Sequence, residues 1–161
     1  MQDVDKKHTS SAFINGRGSG EVYLTFRSMD GTAYEGTYVN GERHGRGVAH
    51  FADGSVYEGG FRGGEYSGDG ELRAADGSSY IGSFERGRRC GVGTVRAANG
   101  AVYEGSFLDG RRHGMGILRY VSGAFYEGSW MQGTRHGQGR QVYADGSEYR
   151  GGFKFGLKHG M

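Results

Sequence analysis

The stretch that decides the fold is Tyr126-Glu127-Gly128-Ser129-Trp130-Met131-Gln132-Gly133-Thr134-Arg135-His136-Gly137-Gln138-Gly139. Its first five residues alternate with period two, so Tyr126, Gly128 and Trp130 share one face of a strand. The next residues form a glycine-containing loop, after which Gly137 and Gly139 resume the alternation. Stepping outward by 23 residues finds the same pattern again, with Tyr34, Tyr57, Tyr80, Tyr103, Tyr126 and Tyr149 evenly spaced. Four residues after each Tyr stands another aromatic: Tyr38, Phe61, Phe84, Phe107, Trp130 or Phe153. Glycines hold five further columns, beginning at Gly36, Gly41, Gly45, Gly47 and Gly54, which account for most of the 35 in the chain. A fixed period of this kind is the mark of a repeat architecture and takes precedence over any single-domain reading.

Each unit reads as a β-hairpin. In the unit starting at Tyr103 the first strand carries Tyr103, Gly105 and Phe107 on one face. A loop spans 108–113, and the second strand runs over 114–120 with Gly114, Gly116, Leu118 and Tyr120 on one side. Asp53-Gly54, Asp76-Gly77, Asn99-Gly100, Ser122-Gly123 and Asp145-Gly146 then link unit to unit, as Asp-Gly and Asn-Gly do in hairpins. Glycine normally weakens a strand interior. Its regular placement here implies that the aromatic rings lie flat over glycine backbone, where any side chain would lift them away. Burial of one Phe contributes roughly 1.5–3 kcal/mol, more than the roughly 0.5–1 kcal/mol that a strand glycine costs. Residues 21–27, followed by Met29-Asp30-Gly31, read as the second half of a degenerate earlier unit.

Composition sets further bounds. The chain has 161 residues, a formal charge of +2, one cysteine and no proline. Absence of proline suits a chain made of paired strands, because proline cannot donate to a ladder. Its 11 Tyr, 9 Phe and one Trp exclude a flexible linker. Near-balanced charge gives no global attraction to nucleic acid, and a single Cys90 allows no intramolecular disulfide. The first residues lack the apolar core of a secretion signal, and no stretch is long and apolar enough for a membrane helix. The expectation is a soluble intracellular chain without a cofactor.

His44, His113, His136 and His159 share one repeat slot. Equivalent residues lie about 9–10 Å apart, two strands away, and cannot share a zinc ion that needs ligands at about 2.0–2.1 Å. They are expected to hydrogen-bond loop backbone instead. Cys90 has no acid, base or orienting residue outside the repeat pattern near it, and no phosphate-binding or dinucleotide fingerprint occurs. No catalytic or metal-binding residue is expected. Arg43, Arg88, Arg89, Arg111, Arg112, Arg135 and Lys158 precede the second strands, where they would form a basic stripe along one edge. That stripe suits anionic lipid headgroups or an acidic protein surface; the alternative is solvated residues paired with Glu35, Glu58, Glu104 and Glu127.

The unit Tyr-Glu-Gly-x-aromatic-x-x-Gly-x-x-His-Gly-x-Gly, followed by Asp-Gly, resembles the MORN repeat (membrane occupation and recognition nexus). The second unit departs at Gly60 and Ser67, the third at Ile81 and Cys90. The resemblance implies an all-β fold, an elongated twisted single antiparallel sheet of consecutive β-hairpins curved into a groove. Six repeats would fill 34–161, the last incomplete, after a disordered tail over 1–11 and a half-repeat cap over 12–33. It further implies a non-enzymatic scaffold for protein–protein interaction in a ciliary, flagellar or other cytoskeletal assembly. A peripheral membrane adaptor binding acidic phospholipids through the basic stripe, or a regulatory array of a larger enzyme, are the alternatives. A helix or extended peptide would lie in the groove against Tyr34, Tyr57, Tyr103, Phe107, Tyr126 and Trp130. The unfinished sixth unit would leave Tyr149, Gly151 and Phe153 on an open edge, suited to self-association into a homo-oligomer.

Overall fold

The structure is a computed structural model and describes residues 20–160. The tail expected over 1–11, the first part of the expected cap (12–19) and Met161 lie outside the described residues. The rest forms one antiparallel sheet of 13 strands arranged in strict chain order.

The alternating segments form the strands. β1 (Glu21–Arg27) pairs with β2 (Ala33–Val39) as the half-unit preceding the first repeat. Five full hairpins follow: β2 with β3 (Glu42–His50), β4 (Val56–Arg62) with β5 (Glu65–Arg73), and β6 (Ser79–Glu85) with β7 (Arg88–Arg96). The next are β8 (Val102–Leu108) with β9 (Arg111–Arg119) and β10 (Phe125–Met131) with β11 (Thr134–Val142). β12 (Glu148–Lys154) is joined by the two-residue β13 (Leu157–Lys158).

Two different turns alternate along the chain. Within a unit the connection is far tighter than the loop expected over 108–113. It consists of Asp109 and Gly110 alone, both left-handed, with φ of 48° and 81°. That is the geometry of a type I′ turn, whose twist matches the strands it joins. Arg111, Arg112 and their equivalents therefore belong to strands. Between units, Ala52-Asp53-Gly54 forms a three-residue link in which the Gly54 amide donates to the Phe51 carbonyl at 3.0 Å. Asp53 Oδ1 accepts from the Ser55 amide at 2.8 Å, and the Ser55 hydroxyl helps hold the Asp53 carboxyl below its usual pKa. The aspartate thus acts through its side chain, and only the glycine adopts positive φ.

A bulge in each hairpin explains why its second strand has nine residues against seven. Gly105 faces Gly116 and Phe107 faces Arg112, so Ser106 stands opposite three residues. Gly114, with φ of 68°, supplies the left-handed backbone that this excess requires. The apolar core is a single layer on one face, running through every unit from Tyr34 to Phe153.

A ring ladder capped by guanidinium groups

Because Tyr103, Gly105 and Phe107 share a face, the rings of successive hairpins meet across the strands. Tyr103 contacts Phe107 at 5.3 Å and Trp130 at 5.2 Å between centroids; Tyr126 then contacts Trp130 at 5.2 Å and Phe153 at 5.0 Å. All four pairs are edge-to-face, the arrangement that brings a positive ring edge onto a negative ring face. The same zigzag joins Tyr34, Phe61, Tyr57, Phe84, Tyr80 and Phe107.

The glycines set the height of each ring. A methyl group built on Gly116 would sit 2.6 Å from the Tyr103 ring, well inside van der Waals contact. Thus, while Tyr149 lies against its own Gly151, the tyrosine of each full hairpin lies against its own strand's glycine and its neighbour's, as the sequence implied. From there its hydroxyl donates to the carbonyl three residues onward: Tyr57 to Gly60 at 2.9 Å, Tyr103 to Ser106 at 3.0 Å and Tyr126 to Ser129 at 2.9 Å. Burial pushes the phenols of Tyr34, Tyr57, Tyr80 and Tyr103 up to about 12.

Guanidinium groups cover the ladder. Arg112 lies 4.3 Å from the Trp130 ring centroid and 5.5 Å from that of Tyr103, and donates to the Gly133 carbonyl at 3.0 Å. Arg43 and Arg135 repeat this arrangement, donating to the turn carbonyls of Gly64 and Gly156. Arg135 also donates to Gln141 Oε1 at 2.7 Å. Burial lowers the pKa of Arg112 from its ordinary value. In the second unit Tyr66 takes the slot and stacks on Tyr57 at 3.8 Å. In the sixth, Lys158 stands 4.7 Å from the Tyr149 ring centroid.

These positions revise the expected site. Tyr34, Tyr57, Tyr103, Phe107, Tyr126 and Trp130 are at most 5% exposed, because the ladder and its cations consume their surfaces. A partner on this face meets the capping residues. The basic stripe also splits in two. Arg43, Arg89, Arg112 and Arg135 are half-buried over the rings, whereas Arg88 and Arg111 are exposed on the other face. None pairs with the glutamate column; Arg88 meets Asp109 at 3.6 Å, and Glu104 pairs with Arg119. The signal was present, since Arg112 stands an even number of residues before Gly114 and Gly116. At the C-terminal end β13 pairs with β12 opposite Phe153 and Lys154, so Tyr149 and Gly151 lie beyond that pairing.

Between the capping groups lie hollows. One, of about 290 Å³, is flanked by Arg89 and Arg112 and walled by Val95, Ala101, Tyr103 and Leu118. A comparable hollow at the first unit is bordered by Phe26, Tyr34, Tyr38 and Arg43. Elsewhere among the described residues no reactive constellation forms. Burial and the nearby Glu85 and Asp69 push the Cys90 thiol up, away from the thiolate a nucleophile requires. His136 Nδ1 is buried without a hydrogen-bond partner, so the expected bond to loop backbone is not made at that atom. Among the described residues no three His, Cys, Asp or Glu side chains converge as metal ligands.

An open meander of repeated hairpins, one ring pair per hairpin, defines a repeat protein whose units stack in one dimension. Its units match the MORN repeat at 34–56, 57–79, 80–102, 103–125, 126–148 and 149–161, and the chain belongs to that family. No curated protein matches it. Among solved structures it is similar to the TCP domain of SAS-4 (dCPAP) of Drosophila melanogaster, in complex with a proline-rich motif of Ana2 (dSTIL). Identity is 11%, the TM-score 0.36, and the match covers 96% of this chain and 99% of that one. It is also similar to the wild-type TCP10 domain of Danio rerio CPAP, in complex with a STIL peptide. There identity is 11%, the TM-score 0.24, and coverage 89% and 97%.

Proposed function

We infer that the chain is a non-enzymatic scaffold that binds a protein segment along its ring face. The observation that carries this reading is the cover of the ladder. A single sheet must bury its apolar face, and here the cover is one layer of stacked cations with apolar hollows between them. Hollows of this kind, with few polar groups at fixed positions, suit inserted side chains. Service in a ciliary, flagellar or other cytoskeletal assembly belongs to the same reading and is drawn from the family resemblance. Imaging of the tagged protein in its native cell tests it.

Display of random peptides against the immobilised chain tests the scaffold reading. Recovered ligands should lose affinity when Arg89 and Arg112 are changed together to Glu, with the fold checked by circular dichroism. They should keep it when Arg88 and Arg111 are changed. Ligands lost only with Arg88 and Arg111 would place binding on the opposite face and sink the reading.

A further inference from the structure

The ring face combines a charge with a spacing, and together they specify the kind of segment that lies along it. This inference rests on the scaffold reading above. Arg89, Arg112, Arg135 and Lys158 form an unbroken run of cations on the ladder, one in each unit from the third to the sixth. None of the four makes an ion pair among the described residues, where the paired cations are Arg73, Arg88, Arg119, Arg140 and Arg150. Arg89 stands apart further. Arg43, Arg112 and Arg135 each donate to a turn carbonyl, whereas among the described residues the Arg89 guanidinium meets only the rings of Tyr80 and Phe107, each at 5.5 Å. Its planar fork of donors therefore borders the hollow without an acceptor, a geometry suited to a carboxylate.

Spacing selects the backbone of the ligand. Successive cations are two strands apart, about 9.4–9.8 Å. The ladder agrees, since Tyr103 and Tyr126 each lie 5.2 Å from Trp130, which limits their separation to twice that. A polyproline II segment has three residues per turn at about 3.1 Å each, and so presents one face every ~9.3 Å. A helix presents the same face every seven residues, about 10.5 Å. Across the three intervals from Arg89 to Lys158 the polyproline II segment drifts by roughly 0.3–1.5 Å and the helix by roughly 2–3 Å. A fully extended strand repeats every ~6.6–6.8 Å and falls out of step at once.

We propose that units three to six bind an extended acidic segment in the polyproline II conformation, with a carboxylate at every third residue. Arg89, Arg112, Arg135 and Lys158 receive successive carboxylates. The intervening apolar residues rest against the hollow walled by Val95, Ala101 and Leu118. Such a segment has little conformational entropy left to lose, which suits a shallow, preformed surface.

Fluorescence anisotropy with the full chain tests this, using three blocked peptides that each carry four glutamates. In (Pro-Pro-Glu)4 the acids fall every third residue; in (Pro-Pro-Pro-Glu)4 they fall every fourth, about 12.4 Å apart; in an alanine-rich helix they fall every seventh. The first should bind at least about tenfold more tightly than the others, and Arg89→Gln should weaken it about tenfold, as loss of a charge-assisted hydrogen bond does. Equal affinity for the two proline peptides, or no response to Arg89→Gln, overturns the inference. Preference for the helical peptide in an Arg89-dependent manner also overturns it, but leaves the scaffold reading standing. If none binds while display still recovers ring-face ligands, this ligand class alone is excluded; if both fail, both readings fall.

Discussion

At the residue scale the decisive contact is an aromatic ring resting on bare backbone. Gly116 carries no side chain because the Tyr103 ring occupies the place of its Cβ, with the facing Gly105 equally constrained. Gly116→Ala is expected to destabilise the chain by about 1–3 kcal/mol, the usual range for overpacking, as measured by denaturant melts. The cation above the ring matters in a graded way. Arg112→Ala uncovers Tyr103 and Trp130 and should cost about 1–2 kcal/mol, whereas exposed Arg111→Ala should remain within about 0.5 kcal/mol. Equal effects would show that guanidinium stacking adds nothing to the ladder. The ring-on-glycine contact was legible in the sequence, because glycine and aromatic columns fall on the same parity. The cap is not legible from the basic stripe alone, because as loop residues Arg111 and Arg112 would share one edge. A two-residue turn puts them into a strand and sends their side chains to opposite faces.

At the scale of the hairpin, turn chemistry and strand length are coupled. A type I′ turn needs two left-handed residues, and only its second position is glycine in every unit. Arg86, Gln132 and Phe155 hold the first position with φ of 49°, 50° and 49°. A left-handed conformation costs such residues roughly 1–2 kcal/mol, a cost that asparagine largely avoids. Gln132→Asn should therefore raise stability by about 1 kcal/mol without altering the sheet, read as a shift in the denaturant midpoint. No shift would mean that the Met131–Thr134 turn is relaxed by contacts beyond its backbone. The Asp-Gly links between units are an obvious turn signal in the sequence. The tighter turn falls at Asn40-Gly41, Asp109-Gly110 and their equivalents; Asn-Gly and Asp-Gly carry the same cue there, whereas at Arg86-Gly87, Gln132-Gly133 and Phe155-Gly156 only the glycine does. The bulge at Gly114 was likewise hidden, since its even spacing to Gly116 mimics an uninterrupted strand.

At the scale of the molecule, stability is a sum over neighbouring hairpins with no central core. Period and strand order were legible because each unit repeats the same local instructions. Which groups cover the rings depended on contacts between units and was not. One global property follows from the buried phenols. Their pKa lies near 12 in the folded chain and about 10 when unfolded. The unfolded state therefore loses these protons first as pH rises. The tyrosine contribution to stability is complete below pH 10 and is lost between pH 10 and about 12. Ionisation measured by ultraviolet absorbance should accompany loss of the circular dichroism signal within that window. Early ionisation of these tyrosines with the sheet intact would contradict their burial.

Tyr66 gives the lattice an origin. A strictly periodic surface has no absolute position, so a ligand in register with one unit is in register with the next and can slide by whole repeats. Replacing one cation by a neutral ring stacked flat on Tyr57 breaks that translational symmetry at a single point. The uninterrupted cationic run then begins at Arg89, and a ligand in register with it loses an ion pair if it slides one repeat toward Tyr66. One substitution in an otherwise repetitive array thus sets a stop on a track along which a ligand could otherwise slide.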